Sequence, residues 1–324
     1  MKIITHDIMP EACVLTIGKF ESFHRGHQAL IHHVIEHAKK MELPSAVMIF
    51  DPNPNSYFNP EYKPMLTARE RAGMINDLGI DYLILQRFDE TFMNMQPGDF
   101  NAHIFIQLKA QCVIVGNGFH FGKNRSGDIH LLSEGAKRLG AEVIVFEPKT
   151  EASTIFAPVV YTTDVHHEHE KKVQKISTSA IRHALMRADV ETVNDLLGYN
   201  YFIKGKTAQG DQQGRQMGTP TLNFYPDAHK LLPPNGVYAS CVFIDDLPHL
   251  SITNIGTSPT MRSENTQRVE THILNVTVPP MYDTDIEVEL LEFIRPEQKF
   301  ASQDALMAQI SKDIQYVKNT YHGM

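Results

Sequence analysis

Short apolar runs alternate with longer amphipathic ones along the first half of the chain. VLTI (14–17), AVMIF (46–50), YLIL (82–85), CVIV (112–115) and VIVF (143–146) carry almost no polar residue. Runs this short and this apolar predict strands buried on both faces. Between them, 27–41, 67–78, 99–108 and 131–139 read as helices, and Thr67-Ala68-Arg69-Glu70 reads as a capping box at the start of one of them. Strand and helix in alternation predict a Rossmann-like parallel α/β sheet, where ligands bind beyond the carboxyl ends of the strands.

The pattern then changes. Residues 179–197 read as one helix. From Tyr201 on, the turn signals Gln209-Gly210-Asp211, Pro233-Pro234-Asn235-Gly236 and Pro279-Pro280 separate short strands. IEVEL (286–290) alternates apolar and acidic residues with period two, as a half-buried strand does. These features predict an antiparallel barrel. Residues 302–318 close the chain as an amphipathic helix with Leu306, Ile310, Ile314 and Val317 on one face. The expected domains are therefore 1–185 and 186–324.

Composition narrows the function. The 324 residues are 42% hydrophobic and 21% charged, with a formal net charge of −8, so general nucleic-acid binding has no electrostatic support. No apolar stretch has the length of a membrane span, and the first residues do not read as a signal peptide. Cys13, Cys112 and Cys241 lie far apart in apolar runs. They predict reduced core thiols and a cytoplasmic protein, not a zinc site or a disulfide framework. His166-His167-Glu168-His169-Glu170 reads as a solvated loop, and His32 and His33 as surface residues of a helix.

Three stretches carry candidate chemistry. GKFESFHRGH (18–27) follows the first strand: Gly18 permits a sharp turn, and His24 and His27 flank Gly26 near a helix start, whose free N–H groups favour phosphate. On residues alone, histidines that decorate a turn remain the alternative. VGNGFHFG (115–122) follows the fourth strand. KISTSAIR (175–182) places hydroxyls at a helix start and Arg182 one turn on, which suits either plain N-capping or phosphate binding. Asp51-Pro52 suits a flavin-lining loop or a rigid turn. Arg295 suits ligand contact or bracing of the last helix.

Together these stretches resemble the adenylyltransferase module of prokaryotic FAD synthetases. GDQQGRQMGTPTLNF, NGVYAS, NIGTSPT, RVETHILN and FIRPEQKFASQDALMAQISKDI resemble the riboflavin kinase module that follows it in the bifunctional enzymes. The resemblance implies an α/β nucleotidyltransferase domain followed by a six-stranded flavokinase barrel. It implies AMP transfer from ATP to FMN and phosphorylation of riboflavin, with Mg²⁺ and with small-molecule flavin and ATP as the partners. It further implies that His24, Gly26 and His27 act on the ATP phosphates, with Gly18, Phe20 and Asn117 beside the nucleotide. Ser177, Thr178 and Arg182 correspond to the second nucleotide motif. Thr221 and Asn223 would engage Mg²⁺ and phosphate, Glu270 would be the kinase base, and Asp51, Pro52 and Arg295 would line flavin.

The chain departs from the family pattern at several positions. Glu21-Ser22 replaces Asp-Gly, with Ser22 expected to be strained if the turn needs a positive φ. Gly118 replaces an Asp or Asn, Leu222 an Ala, Thr219 an aromatic, and Asn275-Val276 an Asp-Phe pair. These changes leave two other readings: an adenylyltransferase with a relict kinase barrel, and a flavin-binding regulator without turnover.

Overall fold

Each of the five apolar runs is a strand in the computed structural model, which describes residues 1–5, 8–147, 176–208, 221–244, 247–257, 267–276 and 281–322. With β1 (Lys2–Ile4), β2 (Cys13–Ile17), β3 (Ser45–Asp51), β4 (Tyr82–Arg87), β5 (Ala110–Gly116) and β6 (Glu142–Phe146) they form one six-stranded sheet in the order β1-β4-β3-β2-β5-β6. Every pairing in it is parallel. Strand β2 is buried at every position. Strand β1 escaped the pattern reading because two of its three residues are exposed, so no apolar run marks it. It joins the edge through Lys2 opposite Tyr82.

The helices of this unit are α1 (Arg25–Met41), α2 (Pro54–Phe58), α3 (Ala68–Asp77), α4 (Glu90–Met93), α5 (Pro97–Ala102) and α6 (Ile129–Arg138). Leu30, Ile31, Val34 and Ala38 form the buried stripe of α1. The predicted capping box is present: Thr67 Oγ1 accepts from the Glu70 N–H, and Glu70 accepts from the Thr67 N–H. The helix expected over 99–108 is α5 continued by a π-helical turn, His103–Gln107.

Strand order decides where a ligand binds. From β2 the chain moves outward through β3 to β4, then returns to β5 on the other side of β2. The loops leaving β2 and β5 therefore diverge, and the crevice between them lies at the carboxyl edge of the sheet. GKFESFHRGH leaves β2, and VGNGFHFG leaves β5.

The chain divides into two compact units, Met1–Ile155 and Phe156–Met324. The second contains α7 (Thr178–Leu185), α8 (Val190–Leu197), β7 (Phe202–Ala208), β8 (Thr221–Pro226), β9 (Gly236–Ile244), β10 (Leu247–Thr257), β11 (Gln267–Ile273), β12 (Asp285–Arg295) and α9 (Gln303–Thr320). The single helix expected over 179–197 is thus two. Ala188 takes a left-handed φ of 59°, and Asp189 caps a fresh helix by accepting from the Thr192 N–H at 3.2 Å. Strands β7–β12 close a barrel in the order β10-β11-β8-β7-β12-β9, antiparallel throughout. On α9, Ile314 and Val317 pack with Tyr321 against Ala239, Leu250 and Leu274. The HHEHE segment, Lys175, Thr219, Pro220 and the turns at 209–211 and 279–280 lie outside the described residues. No described helix is long and apolar enough to cross a membrane.

Candidate active sites

The loop between β2 and α1 is shaped by aromatic packing. A Cβ on Gly18 would stand 2.9 Å from the Phe20 ring, so Gly18 is needed for that close approach, and the turn places its positive φ elsewhere. Phe20 and Phe23 carry it, at 46° and 47°. Ser22 is fully buried and is not among the positive-φ residues, so the strain expected there does not arise.

His24 caps α1. Its Nδ1 accepts from the His27 N–H at 3.3 Å, which places the proton of the neutral ring on Nε2. The two imidazoles stack 3.7 Å apart and 11° from parallel, and Phe20 meets His27 edge-on. A Cβ on Gly26 would lie 3.2 Å from the His24 ring, so any larger residue would press on the stack. Burial lowers the His24 pKa to about 4. Burial, reinforced by the neighbouring His24, holds His27 well below 6.5. Both rings are therefore neutral at neutral pH, and the buried His27 Nδ1 has no hydrogen-bond partner among the described residues. The pair supplies oriented polar nitrogens at a helix N-terminus, with no formal charge of its own.

A buried clamp holds this loop to the end of β3. Glu21, 2% exposed, accepts from the Tyr62 hydroxyl at 2.7 and 2.9 Å, from Asn53 at 3.3 Å and from Asn55 at 3.4 Å. Arg71 donates to the carbonyls of Lys19 and Phe50 at 2.7 and 3.0 Å. Burial lowers the Arg71 pKa, partly offset by Asp51 and Glu21. Asp51 and Pro52 thus stand at the carboxyl end of the strand next to β2, joined by a cis peptide. Sequence reading missed this clamp, although the repeated asparagines of DPNPN after a strand were a signal.

At the end of β5, Asn117 donates to Glu147 at 3.1 Å. Gly118 has no positive φ, and a Cβ there would meet nothing within 4 Å. Ser177 caps α7 by accepting from the Ala180 N–H, with Thr178 and Arg182 in the helix it starts. Helix α7 falls in the second compact unit, packed on α8, whereas 1–185 was the span expected for the first domain.

The barrel gathers a second set. Glu270 on β11 stands opposite Asn223 on β8, and His272 opposite Thr221. Residues two apart share a face, as the spacing predicts within each strand, and the register brings the two pairs together. Asn254 on β10 flanks Glu270 on its other side. Asn223 Nδ2 donates to the Thr221 carbonyl and hydroxyl at 3.4 and 3.1 Å. Its Oδ1 is buried with no hydrogen-bond partner among the described residues. Arg268, two residues before Glu270, forms an ion pair with it. Arg295 contacts the last helix: its guanidinium holds Asp313 of α9 at 2.8–2.9 Å and donates to the Pro296 carbonyl.

Known proteins match this layout. The FAD synthetase family model covers residues 7–157, and the riboflavin kinase model covers 197–321. The bifunctional riboflavin kinase/FMN adenylyltransferase of Escherichia coli is 34% identical, over 94% of this chain and 91% of that protein. The chain belongs to the bifunctional riboflavin kinase/FMN adenylyltransferase family. The Pseudomonas fluorescens member is 31% identical over 95% of this chain and 94% of its own. The crystal structure of a macrolide-efflux protein from Streptococcus pneumoniae aligns over 98% of both chains, with a TM-score of 0.81 and 25% identity.

Within this family frame the departures become structural statements. Glu21 fills a buried clamp, accepting from Tyr62, Asn53 and Asn55. Leu222 is buried, on the opposite face of β8 from Thr221 and Asn223, so its larger side chain enters packing and leaves that polar face unchanged. Asn275 takes a left-handed φ of 64°, which asparagine tolerates.

Proposed function

We propose that the chain makes FAD in two steps carried by separate sites, with an adenylyltransferase module over 1–185 and a riboflavin kinase module over 186–324. The observation that carries this reading is the stacked His24–His27 pair capping α1 at the switch point of the sheet.

In the first reaction an FMN phosphate oxygen attacks the α-phosphorus of ATP. A new P–O bond forms, the bond to the β-phosphate oxygen breaks, and pyrophosphate leaves. The free N–H groups of α1 and the imidazole nitrogens stabilise the negative charge on the transferring group. A nearby triphosphate raises the proton affinity of both rings, so imidazoles that are neutral in the empty site gain basicity when ATP arrives. We assign Ser177, Thr178 and Arg182 to the second nucleotide motif, Gly18, Phe20 and Asn117 to the nucleotide surroundings, and Asp51 and Pro52 to flavin. Arg295 is assigned to bracing.

In the second reaction the 5′-hydroxyl of riboflavin attacks the γ-phosphorus, Glu270 accepts its proton, and ADP leaves. The buried Asn223 Oδ1 and the Thr221 hydroxyl are hard oxygen donors that fit Mg²⁺. Bound there, Mg²⁺ would supply charge neutralisation for the phosphates. Three buried free cysteines accord with a cytoplasmic setting.

Incubating the protein with ATP, Mg²⁺ and either riboflavin or FMN, oxidised or reduced, and separating the flavins by chromatography tests the proposal. FMN and FAD from riboflavin, and FAD from FMN, are the expected products. FAD from FMN alone would leave the barrel a relict, and no product from either flavin would leave a binding protein.

A further inference from the structure

At the end of the first sheet opposite the switch-point loops, three donors of different chemistry converge. Cys112 on β5 and Glu142 on β6 are register partners in adjacent parallel strands, so their side chains leave the same face. His37, late in α1, meets that pair: its Nε2 lies 3.3 Å from Glu142 Oε1. The three ligand atoms all lie within 4.8 Å of one another. Neither proposed reaction uses any of them.

We propose that His37, Cys112 and Glu142 form a mononuclear zinc site, with water as the fourth ligand. One nitrogen, one sulfur and one oxygen make a borderline-soft set that suits Zn²⁺ and not Mg²⁺ or Ca²⁺. Metal–ligand bonds of about 2.0–2.3 Å put neighbouring ligands of a tetrahedral ion roughly 3.3–3.7 Å apart. The His37–Glu142 spacing already falls there, and side-chain rotation can close the remainder.

Without metal, burial and the Glu142 carboxylate push the Cys112 thiol up to about 12, so it is a protonated, inert group. A divalent cation reverses this: the S–H proton is released to solvent, the thiolate binds the metal, and no electron is transferred. The bound ion would tie the later turns of α1 to β5 and β6. The same helix presents Gly26 and His27 at its other end.

The test uses the full chain, stripped with a chelator and titrated with zinc against a chromophoric competitor at micromolar concentration. One Zn²⁺ per chain should bind and raise the melting temperature, and Co²⁺ in its place should show a thiolate-to-cobalt charge-transfer band. Cys112→Ser should abolish the band and weaken zinc at least 100-fold; His37→Ala and Glu142→Gln each remove a direct ligand and should weaken it by at least the roughly 10–100-fold that loss of an outer-shell partner costs. Cys13 and Cys241 remain in every variant, so loss of the band assigns the sulfur. Absence of stoichiometric zinc at micromolar concentration, or binding unchanged by these substitutions, overturns the site. Should Cys112→Ser fail to fold, Glu142→Gln at the half-exposed carboxylate and His37→Ala decide.

Discussion

His24 and His27 show how much of a site one residue type can announce and how much it hides. Two histidines around a glycine after an apolar strand marked a candidate phosphate-handling motif, with turn-decorating histidines as the alternative. Their stacking, and the positive φ at Phe20 and Phe23, follow from ring packing that no residue spacing encodes. His27→Ala should lower FMN-to-FAD turnover by roughly 10², the scale of losing one charge-stabilising donor, while FMN formation from riboflavin stays unchanged; chromatography of both reactions checks it. The same burial has a pH consequence. An imidazole in the unfolded chain binds its proton near 6.5, whereas folded His24 does so near about 4. Between those values the unfolded state holds the extra proton, so stability rises with pH there and is lost on acidification from 6.5 toward 4. His24 contributes roughly 3 kcal/mol to that loss at the acid end, and His27 acts in the same direction. Urea unfolding at pH 7 and pH 4.5 should show a smaller acid loss in His24→Asn, since asparagine keeps the cap. The open space at Gly118 predicts that Gly118→Asn and Gly118→Asp fold normally and keep FAD synthesis within about tenfold or raise it; abolition of activity in both folded variants would show that the reaction does not tolerate a side chain there.

At the scale of elements, legibility followed burial. Strands β2 to β5 were readable because their cores are apolar on both faces, and β12 because its acidic positions alternate with Ile286, Val288 and Leu290. Strand β1 has almost no buried side chain to betray it. The break between α7 and α8 was hidden because its alanine hinge looks like helix interior. Its cause, a left-handed φ of 59° at Ala188, is a backbone fact. A non-glycine residue in that region costs roughly 1–2 kcal/mol, of which Ala188→Gly should recover up to about 1 kcal/mol, because the flexible unfolded chain of glycine offsets part of it. A small rise in melting temperature is the expected reading, and a fall would show that the Ala188 methyl matters more in packing. The Arg295–Asp313 pair ties β12 to α9 with both side chains largely buried. Asp313→Ala leaves the guanidinium without its carboxylate and should cost about 3 kcal/mol, measured by denaturant unfolding. An unchanged midpoint would show that α9 is held by Ile314, Val317 and Tyr321 alone.

For the whole molecule, the two proposed chemistries draw on different kinds of scaffold. The sheet offers a crevice made by strand order, and the barrel offers one polar face assembled from neighbouring strands. That face was predictable within each strand from the period of two, but the pairing of Glu270 with Asn223 across β11 and β8 needed the barrel's register. Arg268 lies two positions before Glu270 on the same strand, so the same period of two places it on that face, although sequence reading overlooked it. In the proposed kinase step Glu270 would take the proton of a riboflavin hydroxyl, with the phosphate assigned to Thr221 and Asn223. A general base contributes typically 10²–10⁴ in rate, and glutamine keeps the shape of glutamate without its basicity. Glu270→Gln should therefore cut FMN formation by that factor while FAD synthesis from supplied FMN continues at the wild-type rate, because His24 and His27 belong to the other compact unit. Given riboflavin alone, the variant should make almost no FAD, and added FMN should restore it. Equal loss of both reactions in a folded protein would break the assignment of Glu270 to the kinase step, and unimpaired FMN formation would show that the hydroxyl proton leaves by another route.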